Sequence, residues 1–386
     1  MRLLVAAVAA FVGTQAVSNP DGQIVKSEKQ LFRMDVVARG LETPWALAFL
    51  PDGRLLVTER PGRLRVVANG KLDSAPVSGL PKVWEKQDGG LFDVEVHPRY
   101  SQNGWIYLAY SESMPATGPG DPPSMTVIVR GRLSPTNSWV DQRVLFRAPA
   151  SIYNSRNAHY GCRFIFDRDN HLFFSIGDKQ EMMDAQDLSK PTGKIHRVND
   201  DGSIPNDNPF IDRPGALGSI WSYGHRNPQG FAWDPVTGKL WASEHGPRGG
   251  DEVNVIERGR NYGWGVITMG TQEGITKQAA PGMEQPVVFY TPSVGPSGMT
   301  FYTGSRYPGW SNQLFVAMMA GQQLRRLETK GDAVVSQEAV FTQFGRVRDV
   351  VVGPDGYVYV ALQTPGERLS DSTPGTVARL MPITEK

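Results

Sequence analysis

The chain has 386 residues, with 40 basic and 39 acidic side chains and a formal net charge of +1. That balance excludes recruitment of nucleic acid or of an anionic membrane through a concentrated basic field. With 42 Gly and 29 Pro spread along its length, the chain is interrupted too often for long helices. It suits many short strands joined by tight turns.

At the N-terminus Arg2 precedes an apolar run from Leu3 to Val12, followed by Gly13, Thr14, Gln15 and Ala16. A cation, an apolar stretch too short to span a bilayer and small residues after it form a secretory signal pattern. Residues 1–18 are read as that signal, cleaved near Ala16 or Ser18, and residues 19–386 as a single exported domain. The expected location is the periplasm or the exterior, in soluble form. A single cysteine, Cys162, precludes an intramolecular disulfide and reads as a small buried filler.

Downstream one unit recurs: a short apolar strand, a turn of Pro, Asp, Gly or Asn, then a strand rich in β-branched and aromatic residues. Its copies pair 46–49 with 55–57, 94–96 with 105–108, and 163–166 with 172–175. The later ones pair 230–233 with 240–242, 299–302 with 314–316, and 349–352 with 358–360. In the turns Pro51-Asp52-Gly53 and Pro354-Asp355-Gly356, glycine supplies the positive φ of a tight hairpin. Six hairpins at intervals of about 50 to 70 residues predict an all-β, six-bladed β-propeller rather than a sandwich, whose turns come closer together. A blade cannot bury both faces alone, so the ring must close. The early strand near Met34 and the late strand near Leu380 are expected to share one blade.

Loops at one end of such a ring converge on the axis, so residues far apart in sequence become neighbours. Asn157-Ala158-His159-Tyr160-Gly161, before the third hairpin, offers His159 as a general base or as an ordinary hydrogen-bonded loop histidine. Gly224 to Gly230, before the fourth, offers Arg226, a fixed cation with five donors. There Asn227 is held extended by Pro228. Glu244-His245-Gly246-Pro247 with Asp251-Glu252, followed by Asn261-Tyr262-Gly263-Trp264, combines carboxylates with a Gly/Pro-rich loop that can turn carbonyls inward, as calcium prefers. Arg346 and Arg348 alternate on a strand, so both can reach one anionic ligand unless Asp349 neutralises one. His97, His171 and His196 show no zinc-binding spacing.

At these motifs the sequence resembles the soluble pyrroloquinoline quinone (PQQ)-dependent glucose and aldose sugar dehydrogenases. The residues that carry the resemblance run from Leu41-Glu42-Thr43-Pro44-Trp45 through Gly89-Gly90-Leu91, Gly224-His225-Arg226-Asn227-Pro228-Gln229-Gly230 and Glu244-His245-Gly246-Pro247 to Arg346-Val347-Arg348-Asp349. The family is a six-bladed propeller, in agreement with the repeat. The resemblance implies oxidation of aldoses at C1 to aldonolactones. His159 would take the anomeric proton while hydride passes to C5 of PQQ, and Arg226 with Asn227 would steady the quinone oxygen. Arg346 and Arg348 would pair with PQQ carboxylates. Carbonyls of Gly246 and Pro247 would hold the calcium that joins protein to cofactor, and Glu252 with the Tyr262 carbonyl a second calcium. Electrons would pass to an external acceptor.

The chain departs from the family pattern in places. Asp88 stands where glutamine usually precedes Gly-Gly-Leu, and no lysine occurs near Ala320 where a cofactor-binding one is expected. Thr291 follows Tyr290 where an aromatic residue is expected, and a later tyrosine is replaced near Glu273. Losing a cation and gaining carboxylates weakens binding of an anionic cofactor. Two other readings therefore stand beside the first: a calcium-dependent, lactonase-like propeller hydrolase using His159, and a non-catalytic propeller that binds sugar or protein.

Overall fold

The computed structural model describes residues 17–116, 118–366 and 373–383. The predicted signal, apart from Val17 and Ser18, lies outside them. The described strands form six antiparallel sheets, five of four strands and one of five. Their innermost strands are Pro44–Phe49, Leu91–Val96, Phe164–Phe166, Pro228–Trp233, Pro296–Tyr302 and Arg346–Val352. Each touches the next, and Arg346–Val352 returns to Pro44–Phe49, so the circle is closed.

All six predicted hairpins are present, the first in the register Leu47 to Val57 and Phe49 to Leu55. The last blade is completed by both chain ends. Leu31–Glu42 pairs with Pro374–Pro382, Met34 opposite Leu380, so one sheet carries N-terminal and C-terminal strands together. That pairing removes the open seam a linear array of blades would leave.

Repetition alone does not give the inner strands' local shape. Five of the six carry a bulge, between Pro44 and Ala46, Leu91 and Val94, Pro228 and Gly230, Pro296 and Met299, and Val347 and Asp349. A bulge bends a strand and re-aims the extra side chain, and the extra residues include Asp93, Gln229 and Arg348. Packing between adjacent bulges is tight: a Cβ on Gly298 would sit 1.8 Å from Asp349 Oδ1. Only glycine admits that approach.

An ionic plug crosses the axis. Arg163 Nη1 donates to Asp93 at 3.0 Å and stands 3.2 Å from Asp349, while its guanidinium lies 4.5 Å from the Trp45 ring centroid. The carboxylates also accept backbone N–H groups, Asp93 from Phe164 and Asp349 from Leu47. Burying three charges is tolerable because each is paired and hydrogen-bonded. Asp349 is thus engaged by Arg163 and does not neutralise Arg346 or Arg348, as its sequence position had suggested. Around the plug, Phe92 packs against Trp45 and Tyr160 at ring separations of 5.8 and 5.5 Å, tying the first three blades together. Cys162 is buried, as expected of a filler.

Candidate functional site

On one side of the plug lies a cavity of about 190 Å³. His159, Asn227, Arg346 and Arg348 line it, together with Asp88, Gln229, His245 and Met319. The loop carrying His159 is held by close backbone contacts. His159 has φ 54, a conformation disfavoured by roughly 1 kcal/mol or more outside glycine. Its carbonyl accepts from Lys179 N at 3.3 Å, its N–H donates to Asp88 Oδ2 at 3.3 Å, and a Cβ on Gly177 would lie 2.1 Å from its oxygen. Lys179 is fully buried over the Tyr160 ring, 3.5 Å from its centroid, and donates to the Arg156 carbonyl. Burial pushes its ammonium down to about 7.

His159 Nδ1 meets Asp178 Oδ1 at 2.7 Å, and Trp264 Nε1 donates to the other oxygen at 2.6 Å. Burial alone would raise the Asp178 carboxyl, but the hydrogen bond from His159 and the nearby Arg226 hold it below its ordinary value. Asp178 is therefore ionised, so Nδ1 of the imidazole is the donor to it and Nε2 is the nitrogen left for another partner. The sequence reading missed Asp178, because nothing in its spacing from His159 marks it.

The cationic side of the cavity is formed by the sixth blade. Arg348, the bulge residue, donates to Gln229 Oε1 at 2.8 Å and to Met319 Sδ at 3.0 Å, and Arg346 reaches the same sulfur at 3.6 Å. Arg348 also stacks 3.8 Å over Trp45. Burial, then the neighbouring guanidinium of Arg163, pushes the Arg348 proton affinity down, and Arg346 responds likewise to burial and Arg60. Crowded, desolvated guanidiniums whose shared acceptor is a weak thioether suit a polyanionic ligand. PQQ, with its three carboxylates, fits that donor set. In the segment expected to carry a lysine, Met319 is the residue that reaches the cavity.

Asn227 accepts at Oδ1 from Gly161 N and Gln229 Nε2, both at 3.1 Å. Arg226 is turned the other way, into an adjoining pocket that it shares with Glu244, Gly246, Pro247, Glu252, Tyr262 and Trp264. There Nη1 donates to the His245 carbonyl at 3.1 Å and the guanidinium lies 5.3 Å from the Trp264 ring centroid. His245 lines both pockets and joins them, and its Nε2 has no partner.

Glu244 and Glu252 are direct cross-strand partners, and Asn254 Nδ2 donates to both, at 3.2 and 3.1 Å. Burial first, then the Glu244 charge, pushes the Glu252 carboxyl upward. Asn254 Oδ1 lacks a partner. Two facing carboxylates, an orphaned amide oxygen and a Gly/Pro loop make a hard-oxygen set that fits calcium. Asp251, which the sequence offered as part of that charge, instead accepts the N–H groups of Gly246, Val294 and Gly295 at 2.8, 2.6 and 2.7 Å. On an outer turn Asp167, Asp169 and His171 bring ligand atoms within 4.8 Å of one another, a grouping that motif spacing did not reveal.

A family model described as Glucose / Sorbosone dehydrogenase matches residues 41–370. An aldose sugar dehydrogenase of Escherichia coli is 41% identical, covering 90% of this chain and 92% of that protein. Quinoprotein glucose dehydrogenase B of Acinetobacter calcoaceticus is 27% identical, covering 90% of this chain and 89% of that protein. The soluble aldose sugar dehydrogenase structure from Escherichia coli, in the apo-form, superposes with a TM-score of 0.83 at 39% identity, over 91% of this chain and all (100%) of that one. The PQQ-bound aldose sugar dehydrogenase of Streptomyces coelicolor gives a TM-score of 0.70 at 27% identity, over 94% of this chain and 100% of that one.

Proposed function

Because the chain belongs to the glucose/sorbosone dehydrogenase family, we propose that it oxidises aldose sugars at C1 to aldonolactones, using PQQ and calcium. One observation carries the reading: a base with a fixed tautomer, the buried guanidinium of Arg348 and the half-buried one of Arg346 line the same axial cavity. Bound PQQ supplies the two-electron acceptor for the hydride that leaves C1.

The residues of the chain supply the rest. Nε2 of His159 takes the proton of the anomeric hydroxyl, and Asp178 stabilises the imidazolium that results. Arg346 and Arg348 bind the cofactor carboxylates, with Gln229 keeping Arg348 extended. Asn227 provides a hydrogen bond beside the acceptor, and Arg226 adds positive charge from the adjoining pocket, across His245. The carbonyls of Gly246 and Pro247 are the candidates for the calcium next to the cofactor, and Glu252 with Tyr262 for the second ion, with Glu244 added to that set. Electrons then leave to an external acceptor. Among the described residues no helix is long and apolar enough to cross a membrane; export to the periplasm rests on the N-terminal signal pattern.

A calcium-dependent hydrolase has no use for two guanidiniums beside its histidine base. Arg346 and Arg348 line the same cavity as His159, which favours the dehydrogenase. The test is reconstitution of the purified protein with PQQ and calcium, followed by dye reduction with aldoses. PQQ-dependent reduction is the expected result. Lactone hydrolysis without PQQ would support the hydrolase, and neither activity would support a binding propeller.

A further inference from the structure

We propose that Asp88 selects the charge of the sugar, admitting neutral and amine-bearing aldoses and excluding anionic ones such as uronic acids. The inference rests on the dehydrogenase reading and adds a substrate class to it.

Asp88 is held beside the base. Its N–H donates to the Asn157 carbonyl at 3.0 Å, and its carboxylate accepts the His159 N–H at 3.3 Å. The turn that carries it is closed by Gly89 N donating to the Lys86 carbonyl at 2.8 Å. A Cβ on Gly89 would lie 2.6 Å from the Trp84 oxygen, and one on Gly90 would lie 2.2 Å from the Arg60 oxygen. These contacts fix the backbone from which the Asp88 side chain projects.

The carboxylate is exposed and lines the mouth of the cavity. Among the described residues no lysine, arginine or histidine forms an ion pair with it, although its field reaches Lys179, Arg226, Arg346 and Arg348. With the cofactor carboxylates on Arg346 and Arg348, those cations are engaged. Asp88 is then the open charge that a sugar meets next to His159. It can accept two sugar hydroxyls or pair with an ammonium, whereas a sugar carboxylate in the same cleft meets a like charge. At separations of a few ångströms in a partly solvated cleft, that difference amounts to about ten-fold in affinity.

The test compares kcat/KM for glucose, glucosamine and glucuronate with one acceptor dye, near pH 6.5 so that the amine is charged. Glucuronate is expected to be at least about ten-fold poorer than glucosamine, the gap shrinking as salt rises to about 0.5 M. Asp88→Asn keeps an oxygen for the His159 N–H and should close most of the gap, while Asp88→Glu should retain it. An unchanged glucosamine-to-glucuronate ratio in Asp88→Asn overturns the proposal. Failure to oxidise glucose bears on the dehydrogenase reading instead. In that event calorimetric titration of the PQQ-loaded wild type and Asp88→Asn with the two charged sugars measures the same ratio.

Discussion

The Nδ1 of His159 and the Oδ1 of Asp178 lie 2.7 Å apart, joining two loops of the third blade. An ionised partner at Nδ1 fixes the proton there and leaves Nε2 as the acceptor, which is what a base acting on a hydroxyl requires. His159→Ala and Asp178→Asn should each lower kcat by about 10² to 10⁴-fold. PQQ affinity, measured by quenching of tryptophan fluorescence, should change little. Turnover at the parental rate in His159→Ala would remove it from the role of base.

The two late arginines should separate in experiment. Arg346 contacts Met319, whereas Arg348 also holds Gln229, which in turn bonds Asn227 and the Gly161 carbonyl. Arg346→Ala should raise the PQQ dissociation constant by about 10 to 100-fold, the range for one charge-assisted contact. Arg348→Ala should do the same and in addition lower Tm, because it breaks a buried network. Equal thermal stability of the two variants would show that Gln229 does not need Arg348.

The circle of blades was legible because each hairpin repeats a local pattern, turn chemistry between apolar runs, that survives in sequence. The shared last blade was legible too, since Met34 and Leu380 each lie in a strand near a chain end that the six hairpins leave over in the sequence. What escaped were relationships that no spacing rule marks. Asp178 meets His159 from another loop of the same blade, Asp349 turns to Arg163 of a different blade, and Glu244 faces Glu252 through the register of two adjacent strands. Asp251 illustrates the opposite error. Its carboxylate looks like a ligand in sequence, yet three backbone N–H groups had no other acceptor and claimed it.

The reading of Glu244 and Glu252 as calcium ligands predicts a calcium-dependent stability. Burial and the Glu244 charge disfavour an ionised Glu252 when no cation is bound, and an ion that binds the folded chain alone should stabilise it by about 2.7 kcal/mol at one hundred times its Kd. In a domain of this size that corresponds to a Tm rise of several degrees. Calorimetry with and without a chelator should show the shift in the parent and a much smaller one in Glu252→Gln. Equal chelator sensitivity in both would exclude Glu252 as a ligand.

His196 provides a pH-dependent component of stability away from the site. Its ring stacks on Phe174 at 4.9 Å, Nε2–H donates to the Pro191 carbonyl at 2.9 Å, and Nδ1 accepts from the Ser219 hydroxyl at 3.0 Å. Burial, opposed in part by that carbonyl, lowers the imidazole from 6.5 to about 3. Between those values the unfolded chain binds a proton that the fold refuses, so this contribution is complete above pH 6.5 and declines as pH falls toward 3. By pH 5 the loss is about 2 kcal/mol. His196→Gln should be less stable than the parent at neutral pH, through lost stacking, and the difference should narrow by about that amount at pH 5. Denaturant melts of both proteins at the two pH values decide it; a constant difference would mean that His196 is not the group that titrates.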